Sequence, residues 1–213
     1  MVAIACLLGL FGAASPGLAQ EPLVQIYILR HAENDPAPSD PKAIHLTEAG
    51  RARAALLAPT FAGIRVTHLF ASHTVRTRET LEGFASDRSL PIIQLPIPGS
   101  SLNGQVVTDE ISRRAAIDPI ADALLRLPAG SIAVVALNSE NIYAVLNRLG
   151  IPVAPAGKTI AVGERFVPCL DNTCFPTGAF DRLWYVALRP GQSEPLVFAE
   201  LRYGVGWGAA RAP

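Results

Sequence analysis

The residues of this chain whose types and spacing suit chemistry begin with Arg30 and His31, which close an apolar run, Ile26-Tyr27-Ile28-Leu29, and precede Ala32-Glu33. A guanidinium offers a bidentate fork to an anion, and an unprotonated imidazole nitrogen can attack phosphorus, so the pair suits phosphoryl chemistry. Two later clusters repeat the pattern of polar residues closing an apolar run. Ser72-His73-Thr74-Val75-Arg76-Thr77-Arg78-Glu79-Thr80 follows His68-Leu69-Phe70-Ala71, and Asn138-Ser139-Glu140-Asn141 follows Ile132 to Leu137. Each piece alone also has an ordinary role, as a solvated helix-face arginine, a capping serine or asparagine, or a hydrogen-bonded histidine at a strand end.

The elements that must position these residues can be read from periodicity. Val24 to Leu29 has the length and β-branched or aromatic content of a buried strand. After the proline-rich loop Asn34 to Pro41, Thr47 is an N-cap for a helix running to about Ala58 and stopped by Pro59. His68 to Ala71 reads as a strand leading to a helix that ends near Phe84, and Ile92 to Leu95 as a short strand before the Pro, Gly, Ser and Asn-rich loop 96–104. Asp118-Pro119 supplies an N-cap and a first-turn proline to a helix whose apolar face is Ile120, Ala123, Leu124 and Leu127. Ile132 to Leu137 is a fully apolar strand, followed by a helix that stops at Gly150. The segment from Pro152 to Phe180 has no strong period. Leu183 to Leu188 and Leu196 to Tyr203 are the last strands, joined through Arg189-Pro190-Gly191.

Strands alternating with helices predict an α/β fold, a three-layer sandwich with a mostly parallel central sheet and helices on both faces. In such sheets ligands bind at the carboxyl ends of the strands. If the first three strands run parallel, Arg30-His31, Ser72 to Thr80 and Asn138 to Asn141 share one rim.

Length and composition bound the function classes. A chain of 213 residues, 50% hydrophobic and 17% charged, fits one globular domain, here residues 20–213. The balance of 18 Lys+Arg against 18 Asp+Glu leaves no overall field for nucleic acid or an anionic membrane, so anion recognition must be local. Residues 1–19 carry no charge, are apolar through Leu7-Leu8-Gly9-Leu10-Phe11, and end in small residues at Gly17-Leu18-Ala19. They read as a signal peptide without a basic start, which implies a secreted or periplasmic protein with no membrane span after its removal. A transmembrane anchor is the competing interpretation, but the stretch is short and broken by Gly, Ser and Pro. In an oxidising compartment Cys169 and Cys174 can close a small loop as a disulfide. Zinc is the competitor, although no histidine lies near the two thiols and two thiolates alone do not make a structural site.

Taken in order, these motifs resemble the histidine phosphatase superfamily, the phosphoglycerate mutase-like enzymes. The residues that carry the resemblance are Leu29-Arg30-His31-Ala32-Glu33, then Leu46-Thr47-Glu48-Ala49-Gly50, then Ser72 with Arg76-Thr77-Arg78 and Thr80. Asp181-Arg182-Leu183-Trp184 and Leu201-Arg202-Tyr203-Gly204 look like the late strands of small secreted members. The resemblance spans about Val24 to Gly204 and implies a phosphohistidine mechanism needing no metal or other cofactor. His31 would be the nucleophile, Arg30 and Arg76 would grip the phosphoryl oxygens, and Ser72 and the third junction would add phosphate contacts. Only Arg76 matches the motif position. Arg78, two residues on, would point elsewhere on the helix.

The third junction departs from the pattern. Where members of the family usually carry a second histidine, Val134-Val135-Ala136-Leu137-Asn138-Ser139 places Asn138. An amide can donate a hydrogen bond to phosphate, but it carries no charge and moves no proton at neutral pH. Losing one preorganised donor at a developing oxyanion costs on the order of 10²–10³ in rate. The expectation is therefore a phosphomonoester hydrolase of reduced activity, acting on a phosphorylated small molecule or phosphoprotein. The alternative is a catalytically inactive relative that binds such a ligand or a protein partner. Mutase activity is not indicated. Asp109 and Glu110 stand where the acid for the leaving group is expected, with Glu33 and Asp35 as further carboxylates near the nucleophile. His73 and His45 are the histidines available to assist.

Overall fold

The computed structural model describes residues 21–39, 43–95, 119–151, 160–162, 165–167 and 180–204. Its elements are, in chain order, β1 (Val24–Arg30), α1 (Glu48–Ala55), α2 (Leu57–Thr60), β2 (His68–Ser72), α3 (Val75–Arg88) and β3 (Ile92–Leu95). A helical segment over residues 119–125, α4, comes next. It is followed by β4 (Ile132–Leu137), α5 (Ser139–Arg148), β5 (Ile160–Val162), β6 (Arg165–Val167), β7 (Arg182–Leu188) and β8 (Pro195–Arg202).

Six strands form one sheet in the order β3-β2-β4-β1-β7-β8. The first four in that order run parallel. β7 is antiparallel to β1, and β8 is antiparallel to β7. The chain therefore leaves β1, skips a place to make β2 and β3, and returns to insert β4 between β2 and β1. That reversal opens a crevice at the carboxyl ends of the parallel strands.

The central strands are buried on both faces, which explains their unbroken apolar runs. One core packs Ile26, Ile28, Ala133, Val135, Leu137, Trp184 and Val186 against Ile120 and Leu124 of α4 and Ile142, Val145 and Leu146 of α5. The other packs Leu29, Val134, Ala136 and Leu183 against Leu57, Phe61, Leu81 and Phe84 of α2, its flank and α3. Residues 133 to 137 thus alternate between the two helical layers, and the architecture is the three-layer α/β sandwich expected from the sequence. No helix among the described residues is long and apolar enough to cross a membrane.

Three local expectations are corrected. Pro59 does not stop the first helix. The break falls at Leu56, whose N–H bonds to the Arg53 carbonyl, and Pro59 lies inside α2, in the first turn where a missing N–H costs little. The helix expected to end near Phe84 continues to Arg88, because Ser89 adopts the left-handed conformation that ends it (φ 53°). The segment read as aperiodic contains the antiparallel pair β5 and β6, strands of three residues each, too short for a period to show. Residues 1–19, expected to be a signal peptide, and the pair Cys169 and Cys174 lie outside the described residues.

Candidate active site

The sheet register brings the three polar junctions to one level. Arg30 on β1 stands opposite Leu137 on β4, and Ala71 on β2 opposite Ala136, so Ser72 falls beside Leu137 as well. One residue further along, the His31 N–H donates to the Leu137 carbonyl at 2.9 Å, which sets the nucleophile candidate beside the start of Asn138.

His31 is 3% exposed. Its Nδ1 lies 2.8 Å from the Ala32 carbonyl oxygen. A carbonyl oxygen only accepts, so Nδ1 carries the hydrogen and the neutral ring keeps its lone pair on Nε2. Burial pushes the imidazole pKa down from 6.5 to about 3; the Ala32 carbonyl opposes this, and the positive charges of Arg76 and Arg30 add to the depression. The ring is therefore neutral across the physiological range and presents one nucleophilic nitrogen. The backbone beyond it is pinned as well. The Ala32 N–H donates to Thr80 Oγ1 at 3.0 Å, and that hydroxyl donates to the Arg76 carbonyl at 2.7 Å, tying the neighbour of His31 to the turn of α3 that carries Arg76.

Phe180 completes the cradle. The Arg30 guanidinium carbon lies 4.2 Å from the centre of its ring, and the His31 ring centre lies 5.9 Å from the same ring at 52°. Stacking engages the guanidinium face, whereas hydrogen bonds to an anion use the N–H groups in its plane. The sequence reading missed Phe180 because it considered only the carboxyl ends of parallel strands. β7 runs antiparallel to β1, with Leu183 opposite Leu29, so residues just before β7 return to the same rim.

Beneath the rim lies a hydroxyl cluster. The Ser72 hydroxyl donates to Thr77 Oγ1 at 3.0 Å, Thr77 Oγ1 is 2.8 Å from the Ser72 carbonyl, and Thr74 Oγ1 is 3.0 Å from Thr77 Oγ1. Thr74 Oγ1 donates to Asn138 Oδ1 at 3.3 Å. Ser72, Thr77 and Asn138 are fully or almost fully buried. Ser72 thus sits at the rim as expected, but its hydroxyl is engaged with Thr77.

The auxiliary candidates separate. His73 is only partly covered at the rim, and that partial burial of its ring, then the charge of Arg76, holds its pKa below the ordinary imidazole value. Glu33, named as a possible acid, is instead gripped by Arg53, whose Nε lies 2.8 and 2.9 Å from its two oxygens and whose Nη2 lies 2.7 Å from Oε1. That pairing commits Glu33 to α1, because both lone-pair edges face a cation. Asp35 accepts from the Ala37 N–H at 2.9 Å and serves its own turn. His45 is bound through Nδ1 to Glu79 at 2.6 Å, and the other Glu79 oxygen accepts the Leu46 N–H at 2.8 Å. Burial raises the Glu79 pKa, but the Leu46 N–H, His45 and Arg78 outweigh it and hold the carboxyl below its ordinary value. Arg78 pairs along α3 with Glu82 at 2.7 Å, away from the phosphate-binding candidates. Asp109 and Glu110 lie outside the described residues. No group of three or more His, Cys, Asp or Glu side chains among the described residues could hold a metal ion.

Residues 26–97 match the family model of the histidine phosphatase superfamily, branch 1. No curated protein matches the chain. Solved structures with the same fold include a candidate α-ribazole-5′-P phosphatase of Escherichia coli K-12, at 15% identity and a TM-score of 0.57, with 84% of this chain and 96% of that one covered. Another is phosphoglycerate mutase of Plasmodium falciparum, at 13% identity and a TM-score of 0.51, with 90% of this chain and 99% of that one covered. A third is a mycobacterial glucosyl-3-phosphoglycerate phosphatase, at 10% identity and a TM-score of 0.52, with 84% of this chain and 97% of that one covered. At these identities the likeness establishes the three-layer fold.

Proposed function

We propose that this protein is a member of the histidine phosphatase superfamily and hydrolyses phosphomonoesters through a phosphohistidine on His31, at a rate lowered by Asn138 in the second histidine position. The observation that supports the reading best is the hydrogen bond from His31 Nδ1 to the Ala32 carbonyl, because it leaves Nε2 as the basic nitrogen of a ring kept neutral by burial.

Nε2 attacks phosphorus in line with the leaving oxygen. The N–P bond forms as the P–O bond breaks, and the departing oxygen takes a proton from an acid, for which Asp109 and Glu110 are the candidates. Arg30, steadied by Phe180, and Arg76 offset the charge that spreads over the equatorial oxygens. Water then attacks the phosphohistidine. An O–P bond forms, the N–P bond breaks, the water proton passes to the carboxylate that gave up its proton in the first step, and His31 returns to its neutral form. Asn138 donates to a phosphoryl oxygen without adding charge. The substrate is a phosphorylated small molecule or a phosphoprotein. In this reading residues 1–19 direct the domain to the periplasm or the medium, where Cys169 and Cys174 can pair.

Asn138 also favours a second reading, a relative that binds a phosphorylated ligand without turning it over. Hydrolysis of an aryl phosphate and trapping of labelled phosphoenzyme by an alkaline detergent quench separate the two. The first reading expects acid-labile label on the native protein and neither label nor turnover in His31→Ala. Background turnover unchanged by His31→Ala, with phosphate still bound, would select the second.

A further inference from the structure

Thr74 is the N-cap of α3 and Asn138 the N-cap of α5, both with extended backbone (φ −78° for each). Thr and Asn are strong capping residues whose side-chain oxygen ordinarily accepts an N–H of its own helix. Neither side chain does so here. Instead Thr74 Oγ1 donates to Asn138 Oδ1 at 3.3 Å, across the gap between the two helix starts. The Thr74 backbone is held for this contact, its carbonyl accepting from Thr77 Oγ1 at 2.8 Å and from the Arg78 N–H at 3.3 Å.

We infer that Thr74 is a positioning residue for the phosphate site, fixing the Asn138 amide with Oδ1 turned toward Thr74 and Nδ2 turned toward the phosphoryl group on His31. A primary amide has an accepting end and a donating end, and a free rotor would spend part of its time with the accepting end facing an anion, which repels it. A donor bound to Oδ1 removes that orientation. With neither side chain accepting a backbone N–H of its own helix, the first turns of α3 and α5 carry no side-chain cap, and their dipoles face the site where an anion is to be held. Asn138 stands beside the nucleophile through the bond between the His31 N–H and the Leu137 carbonyl. An uncharged residue in this position thus acts as a directed donor, with Thr74 as its partner.

This inference rests on the phosphate site proposed above, and its test separates the two. Calorimetric titration with orthovanadate compares the native protein with Thr74→Val, Thr74→Ser, Asn138→Ala and the Thr74→Val, Asn138→Ala double variant. Loss of one oriented hydrogen bond to a charged group should raise the Kd roughly tenfold in each single variant. The double variant should bind no more weakly than Asn138→Ala, and Thr74→Ser should bind as the native protein does. Native affinity in Thr74→Val, or losses that multiply in the double variant, overturns the inference and leaves the phosphate site standing. Absence of vanadate binding by the native protein overturns both. Thr74→Ala replaces Thr74→Val if the latter does not fold, and the Asn138 side-chain NH₂ resonances give a second readout. They should shift in Thr74→Ala and stay in place in Thr74→Ser, and unmoved resonances in Thr74→Ala overturn the inference.

Discussion

Gly50 and the Glu33 carbonyl are packed so closely that a Cβ on Gly50 would overlap the carbonyl oxygen. That oxygen also accepts the Thr47 N–H at 2.9 Å and the Thr47 hydroxyl at 3.2 Å, while the Gly50 N–H donates to Thr47 Oγ1 at 3.1 Å. The Leu-Thr-x-x-Gly element is thus a fitted N-terminus that holds α1 against the backbone two residues beyond His31. Gly50→Ala should destabilise the fold by about 1–3 kcal/mol, since neither backbone can withdraw without breaking these bonds. Urea unfolding checks it, and a variant as stable as the native protein would show that α1 is free to move.

The His31 ring should not titrate in the range usual for imidazole. Its ring resonances should hold their neutral positions from pH 8 down to about 4.5, because burial and the two arginines depress its pKa to about 3. The sign for stability follows. Between about 6.5 and about 3 the unfolded chain binds a proton that the folded protein refuses, so this group makes stability fall on acidification through that window. His31→Gln should flatten that part of the stability profile. A His31 midpoint near 6.5 by NMR would sink both statements.

Phe180 should matter to anion affinity through Arg30. Phe180→Leu keeps an apolar side chain but removes the π face, and a cation–π contact of about 0.5–2 kcal/mol corresponds to a Kd for vanadate higher by roughly twofold to thirtyfold. Phe180→Tyr should bind as the native protein does. Equal affinity in the leucine variant would mean that Arg30 needs no support from the ring.

Asn138→His should raise turnover of an aryl phosphate by up to on the order of 10²–10³, by supplying the charged donor that an amide cannot. Steady-state kinetics at neutral pH read this directly. Unchanged or lower turnover would show that the rate is limited elsewhere.

The fold and the site differed in how far they could be read in advance. Residues 132–137 announced a strand buried on both faces, and Ile120, Ala123, Leu124 and Leu127 announced one helical face, because such patterns are local and repeat over many residues. The position of Arg30, His31, Arg76 and Ser72 at one rim followed from the alternation of strands and helices. Phe180 did not, since its approach depends on the antiparallel return of β7 across β1, a pairing between residues more than a hundred and fifty positions apart. Glu33 read as a possible acid or a surface carboxylate near His31, because its ion pair with Arg53 forms only when α1 folds back on it.

The amino-acid order alone determined the α/β class, the chemistry available to an Arg-His pair, and the presence of an amide, Asn138, at the third strand-to-helix junction. These depend on residue identity and short-range spacing. Tertiary structure decided which nitrogen of His31 keeps its lone pair, that the ring is neutral, that Phe180 backs Arg30, and that Thr74 and Asn138 bond each other instead of capping their helices. Each of these is set by burial and by partners distant along the chain, where a shift of an ångström makes or breaks a hydrogen bond and no local pattern records it.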